Sequence, residues 1–298
     1  MLGNKTITVS IAIVALLAVS ASFLYNKHTE KNPYTIKRNI RYSFTLQNTS
    51  TQIIQNAEFW AYAPVKQTSW QKSGVIEASH PYELQQDELG NQILHFSFDK
   101  LPPFATEIIN IKADVLFSTQ ANKTDENHLE RFLAEESFME ISSPNIKQLA
   151  LQIKQAKQQH TAEKTFNWVA NNIKYAGYIK DERGALYAMK SRQGDCTEYM
   201  YLNTALLRAN QIPSRGIGGY VYSEDRILKP TDYHNWSEAY LENAWRIIDP
   251  QNKKYMTNQS HYIAMRIVGH TSTKNRSSPL SNSQRFAFVG EGLSVRMN

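Results

Sequence analysis

The sequence predicts an α+β protein with a β-rich first half and its chemistry in the second. Three observations predict this. Short alternating apolar runs recur from Tyr34 to about Ser118, as half-buried strands do. After Pro144, apolar residues repeat at helical spacing. Further on, a cysteine opens a helix-like segment, and two strand-like segments follow it around a Glu242-Asn243 turn. The implied organisation is a terminal apolar segment over 1–29, a β-sandwich-like domain over 30–118, a linker over 119–145 and an α+β domain with C-terminal strands over 146–298.

The first element is the uncharged stretch Ile7 to Tyr25. As a helix it would span about 28 Å at ~1.5 Å per residue, close to a bilayer core of ~30 Å. It reads either as an uncleaved signal anchor or as a signal peptide cleaved near Val19-Ser20-Ala21. The anchor is favoured because the apolar run continues through Phe23 and Leu24. Lys27, Lys31, Lys37 and Arg38 follow the segment, against Lys5 before it, so the positive-inside bias alone would retain the C-terminal bulk in the cytosol. A short apolar segment ahead of a globular body nevertheless acts as an export signal, and export is the expectation.

The strands come next. Tyr42, Phe44 and Leu46 alternate within Arg41–Asn48, and Ala57–Pro64 is an aromatic-rich run stopped by proline. Ile93–Phe98 alternates after a Gly90-Asn91 turn, and Ile108–Phe117 is rich in β-branched residues. Such strands with turn signals suggest a sandwich. His80 and His95 in this half read as surface or packing histidines. Residues 120–140 are polar and acidic and read as a linker that turns helical near Leu129, Phe132 and Leu133. One amphipathic helix carries Ile146, Leu149, Ala150 and Ile153. A second begins near Thr161 and carries Phe166, Val169 and Ala170. Residues 271–284 are a polar loop, and the tail RFAFVGEGLSVRM reads as one or two final strands.

Composition excludes several classes. The 298 residues carry a net charge of +6 and 41% apolar residues, enough for an ordinary core under a mildly basic surface. No basic stripe interleaved with aromatics is present, so nucleic acid is not an expected partner. A single cysteine rules out an internal disulfide and a Cys-rich zinc site. No His-x-x-x-His spacing occurs, and Gly216-Ile-Gly-Gly219 lacks the lysine and helix of a phosphate-cradling loop. Neither a metal nor another cofactor is expected.

The lone Cys196 sits in Gly194-Asp195-Cys196-Thr197-Glu198. Asp195 and Glu198 have capping-box spacing, which places Cys196 in the first helical turn. Tyr199, Leu202, Leu206 and Ala209 continue one face, Asn210 can take the left-handed closing position, and Pro213 forbids continuation. A thiol at a helix N-terminus meets the positive dipole end and free N–H groups, which favour the nucleophilic thiolate. The same N–H groups can stabilise an oxyanion. Downstream, His234–Leu241 and Ala244–Asp249 read as a hairpin with a two-residue loop. That loop sets Asp249 opposite Trp236, making His234 and Asp249 diagonal neighbours on one face, within hydrogen-bonding reach. A helix-start thiol, an imidazole and a carboxylate are the parts that nucleophilic acyl transfer requires.

The segments GDCTEYMYLNTALLRANQIPSRGIGGYV, HNWSEAYL and AWRIIDPQ resemble the three core motifs of the transglutaminase-like superfamily. They occur in family order, His234 following Cys196 by 38 residues and Asp249 following His234 by 15, and the resemblance covers roughly Ile146 to Met265. It implies a papain-like α+β core with Cys196 as nucleophile, His234 as base and Asp249 as orienter. It also implies an upstream oxyanion donor, for which Tyr175 is the first candidate and Trp168 the second. Trp236, beside His234, reads as a shield of the triad. Two departures stand out. Gln211-Ile212-Pro213 replaces a common Gly-Ile-Pro, and the extended flanks and calcium-site clusters of animal transglutaminases are missing. The resemblance is instead to bacterial envelope members. The expected function is acyl transfer or hydrolysis at a carboxamide or peptide bond of a protein or peptide substrate. The expected location is the bacterial inner membrane with a periplasmic domain, or the periplasm if the signal is cleaved. The alternative is an inert envelope binding or scaffold protein.

Overall fold

The computed structural model describes residues 32–124, 128–269, 280 and 284–298. The apolar segment Ile7–Tyr25 and most of the polar loop at 271–284 lie outside the described residues. Among the described residues, no helix is long and apolar enough to cross a membrane.

The β-rich half forms two facing sheets. Its strands are β1 (Tyr34–Asn48), β2 (Ile54–Ala63), β3 (Gln71–Ala78), β4 (Glu83–Gln86), β5 (Gln92–Leu101) and β6 (Thr106–Ser118). β1, β6 and β3 form one sheet, and β2, β5 and β4 form the other. Alternation dictates the packing. Ile40, Tyr42, Phe44 and Leu46 of β1 are buried, as are Phe59 of β2, Phe96 of β5 and Ile109, Ile111 and Val115 of β6. Phe44 and Phe59 lie 4.9 Å apart between ring centroids. Each such side chain contributes roughly 1.5–3 kcal/mol by leaving water.

The remainder is α+β, as expected. Helices α1 (Pro144–Ile153), α2 (Gln158–Asn172), α3 (Gly184–Ser191) and α4 (Cys196–Ala209) precede or flank two short strands, β7 (Lys174–Tyr175) and β8 (Gln193–Gly194). Then come β9 (Ser214–Val221), β10 (Arg226–Ile227), β11 (His234–Leu241), β12 (Ala244–Asp249), β13 (Lys254–Tyr255) and β14 (Tyr262–Val268). A five-stranded sheet runs β13-β12-β11-β9-β14. The β11–β12 hairpin has the expected register, Ser237 opposite Ile248 and Leu241 opposite Ala244. Glu242 (φ 54°) and Asn243 (φ 61°) both turn left-handed, as a tight hairpin requires.

Helix α4 is the centre of this half. Leu202, Ala205 and Leu206 meet α1 and α3, while Leu207 joins a cluster with Ala162, Ile212 and Ile248. The helix is covered on nearly every side, and the sequence pattern identified only one of its buried faces. It closes differently from expectation. Asn210 (φ −91°) stays outside the left-handed region, and Gln211 (φ 61°) occupies it. Asn210 is held by its own side chain, whose Nδ2 donates to Ala150 O at 2.9 Å.

The final strands, β15 (Phe286–Val289) and β16 (Leu293–Met297), were expected with the α+β half but extend the sandwich. β15 pairs with β2, and β16 pairs with the second half of β1. Phe286 packs on Phe44 at 5.4 Å, and Val295 and Met297 cover the same core, so apolar contact carries the tail there. Other contacts join the halves within the compact unit Tyr34–Asn298. Trp70 Nε1 donates to Trp245 O at 2.8 Å, and the Gln71 amide brackets Ala264 through bonds of 2.7 and 2.8 Å. The linker is also pinned. Phe132, in a 3₁₀ turn over Leu129–Leu133, meets Trp245 edge-on at 4.9 Å, and buried Glu136 pairs with Arg208 of α4 at 2.7 Å.

Candidate active site

The start of α4 is built by its own carboxylates. Asp195 Oδ1 accepts from Thr197 N–H at 2.8 Å, and Glu198 Oε2 accepts from Asp195 N–H at 3.1 Å, completing the capping box. Their second oxygens reach back to the preceding loop. Asp195 Oδ2 accepts from Ile179 N–H at 2.9 Å, and Glu198 Oε1 from Arg183 N–H at 3.0 Å. Burial pushes the Glu198 carboxyl up against the pull of these donors. Gly194 is needed here for close approach, since a Cβ at that position would stand 2.4 Å from Glu198 Cβ. Cys196 follows as the first helical residue and is half-buried. Its own N–H points out of the helix end without an intrahelical acceptor.

His234 begins β11 and Asp249 ends β12. The hairpin brings His234 Nε2 to 2.7 Å from Asp249 Oδ2. A carboxylate only accepts, so Nε2 carries the proton and Nδ1 is left for the thiol. Asp249 Oδ2 also accepts from Tyr262 O–H at 2.9 Å and from Asn252 Nδ2 at 2.8 Å. The Asp249 side chain is 1% exposed and that of His234 12%. Burial opposes a charged imidazole, but the Asp249 bond and then the Cys196 contact favour it, raising His234 from 6.5 to about 10. Burial and the Asp249 charge push Tyr262 strongly upward, which keeps it a donor.

The structure therefore brings Cys196, His234 and Asp249 together. Trp236 is fully buried, with its ring stacked 6.2 Å from that of His234, where it walls one side of the imidazole. Tyr175 pairs with Gly194 across the short β7–β8 bridge and reaches the rim of the cleft that holds Cys196. Burial, then Cys196 and Asp195, raise its hydroxyl. Trp168 lies elsewhere. It packs against the helical cluster under Arg192, 4.5 Å from the guanidinium, and does not line the cleft. The expectation of Trp168 as the second oxyanion candidate is therefore not met, because α2 turns its face toward the helical cluster.

The sequence reading missed Asn235 beside the thiol, and Asn252 and Tyr262 beside Asp249. Asn235 Nδ2 stands 3.5 Å from Cys196 Sγ and 3.0 Å from Thr197 Oγ1. Strand alternation was the available signal. Asn235 and Ser237 share the face toward α4, where Ser237 Oγ donates to Met200 O at 3.2 Å. Asn235 Nδ2 thus stands beside the sulfur, and the first N–H groups of α4 lie at the same helix start. An imidazole poised between a thiol and a buried carboxylate, with such donors nearby, suits acyl chemistry through sulfur.

Residues 147–250 match the transglutaminase-like superfamily, and this part of the chain is a transglutaminase-like domain. No curated protein matches the chain in sequence. Among solved structures, that of a putative cysteine protease from Cytophaga hutchinsonii is similar across 88% of this chain and 92% of its own, with a TM-score of 0.59 and 16% identity. That likeness extends over both halves and establishes a shared fold. The periplasmic domain of TgpA from Pseudomonas aeruginosa is more distant, with a TM-score of 0.40 and 16% identity over 71% of this chain and 88% of that one.

Proposed function

We propose that the protein is a thiol enzyme that forms an acyl intermediate on Cys196. The observation that carries this is the 2.7 Å bond from His234 to buried Asp249, with Cys196 contacting the same imidazole. Cys196 gives its proton to His234 Nδ1, and its sulfur attacks the carbonyl carbon of a carboxamide or peptide bond. Negative charge develops on the carbonyl oxygen beside the Cys196 N–H and Asn235 Nδ2, with Tyr175 at the rim as a further donor. Collapse breaks the C–N bond, and the imidazolium protonates the departing amine or ammonia. An amine or water, deprotonated by His234, then attacks the thioester and restores the thiol. Asp249 holds the ring in the required tautomer and stabilises its cation. The test is product analysis on a broad peptide and carboxamide panel with intact protein and Cys196→Ala. Turnover absent from the variant, with a Cys196-linked acyl adduct by mass spectrometry, is expected. Identical products from both would refute the reading.

The apolar stretch Ile7–Tyr25 supports placement of the enzyme in a bacterial envelope, its body exported and facing protein or peptide substrates. Protease accessibility in intact spheroplasts tests this, and protection of the body until lysis would overturn it. A second reading draws on the sandwich, which carries none of the reacting groups. In that reading the sandwich recognises an envelope partner and the thiol is idle, so Cys196→Ala would leave the biological phenotype intact.

A further inference from the structure

We propose that the cleft beside Cys196 contains a carboxylate-binding subsite, formed by Arg266 and Arg285, which selects acyl donors bearing an acidic group near the scissile carbonyl. It rests on the acyl-transfer reading for the identity of the ligand as an acyl donor, though not for its charge.

Cys196 and both arginines line one cleft of about 600 Å³. Arg266 lies on β14 and is only 4% exposed. A guanidinium carries five N–H donors, yet its one hydrogen bond among the described residues runs from NH1 to Gln284 O at 3.0 Å. Among the described residues its Nε is buried without a partner and no carboxylate forms an ion pair with it. A buried guanidinium left this way is costly unless an anion completes it. Arg285 is similarly underused. Its NH1 donates to Pro230 O at 2.9 Å, and its guanidinium lies 4.9 Å over the Tyr233 ring. The Tyr233 hydroxyl, also in the cleft, is buried without a partner among the described residues.

Glu182 acts on Arg266 through its charge without forming an ion pair, and the cleft carboxylates spend their hydrogen bonds elsewhere. Asp195 accepts from Ile179 and Thr197 N–H, and Glu182 accepts from Tyr201 O–H at 3.0 Å. What remains unsatisfied is positive charge with N–H and O–H donors. A carboxylate fits this, because its two oxygens match the planar fork of an arginine. Such an anion sits within the same cleft as the sulfur, so a donor engaging both carries its acidic group close to the reacting carbonyl. A neutral donor would leave the Arg266 guanidinium without a direct ion pair.

The chain has one cysteine, so alkylation reads a single site. Rates with anionic iodoacetate and neutral iodoacetamide are compared in intact protein, Arg266→Gln and Arg285→Gln. Their ratio cancels general changes in thiol reactivity. The iodoacetate-to-iodoacetamide ratio should fall about five- to tenfold in Arg266→Gln and about two- to threefold in Arg285→Gln, as expected for loss of a charge-assisted contact. Calorimetric titration of Cys196→Ala with glutarate is the second arm and needs no reactive thiol. Binding should weaken about two- to threefold when Arg285→Gln is added and about five- to tenfold when Arg266→Gln is added. Unchanged ratios in folded variants, or no glutarate binding, would overturn the proposal. If Arg266→Gln does not fold, Arg285→Gln and glutarate decide. A thiol inert to both reagents beside normal glutarate binding would count against the acyl-transfer reading and leave the subsite standing.

Discussion

Replacing Asp249 with asparagine tests how the imidazole is held. Burial disfavours a charged His234, yet Asp249 and then Cys196 raise its titration from 6.5 to about 10. That difference is worth about 5 kcal/mol between the two protonation states, and Asp249 supplies the larger share. Asparagine removes the charge and turns one acceptor oxygen into a donor beside Tyr262 and Asn252. A group whose folded pKa is raised contributes its stability fully below the unfolded value, and loses it as pH climbs through the folded one. The window is therefore from 6.5 to about 10. Asp249→Asn should cost about 3–5 kcal/mol near pH ~6, where the buried charged pair is broken. Near pH ~10.5 it should cost only about 1–2 kcal/mol, because the neutral imidazole forfeits an ordinary hydrogen bond. Urea unfolding of both proteins across this range gives the difference directly, and the His234 Cε1–H resonance reports the titration itself. A loss that is constant with pH, or a wild-type His234 titrating near 6.5, would refute the reasoning.

Three further substitutions probe the frame around the site. Gln211→Gly should stabilise the fold by about 0.5–1 kcal/mol, because glycine relieves the left-handed backbone at φ 61°; denaturant titration measures it, and a destabilised variant would contradict it. Gly194→Ala should cost about 2 kcal/mol or more and slow alkylation of Cys196, since its Cβ would meet Glu198 Cβ at 2.4 Å and displace the capping box. Normal stability and alkylation there would mean that the helix start does not depend on that contact. Tyr262→Phe should cost about 1–2 kcal/mol while leaving Cys196 alkylation within a few-fold, as Asp249 keeps its bonds from His234 and Asn252. Loss of alkylation would show that the tyrosine positions the carboxylate.

Much of the site was legible because local rules specify it. Asp195 and Glu198 announce the start of α4 by their spacing, and their hydrogen bonds are those that spacing implies. A two-residue loop at Glu242-Asn243 pins the hairpin register, and through it the meeting of His234 with Asp249. What escaped depends on long-range contact. β14 is buried along its whole length, so YIAMRIV shows no alternation to mark it as a strand, and Tyr262 and Arg266 stayed hidden with it. Asn235 was overlooked because its importance comes from α4 packing on β11. The tail read correctly as strands, but its partner sheet was set by packing against Phe44 and its neighbours, which local sequence does not encode. At the end of α4, asparagine has the better local propensity for the left-handed turn, yet its bond to Ala150 O on α1 leaves that conformation to Gln211.

The central claim is that His234 activates the sulfur of Cys196. The most direct test is the rate of iodoacetamide alkylation of this single cysteine against pH, in the intact protein and in His234→Ala. The prediction is rapid alkylation persisting well below the ordinary thiol value of ~8.5, and its loss in His234→Ala. Slow alkylation with an ordinary thiol profile, unaffected by His234→Ala, would contradict it and leave the transglutaminase-like domain as an inert support for binding.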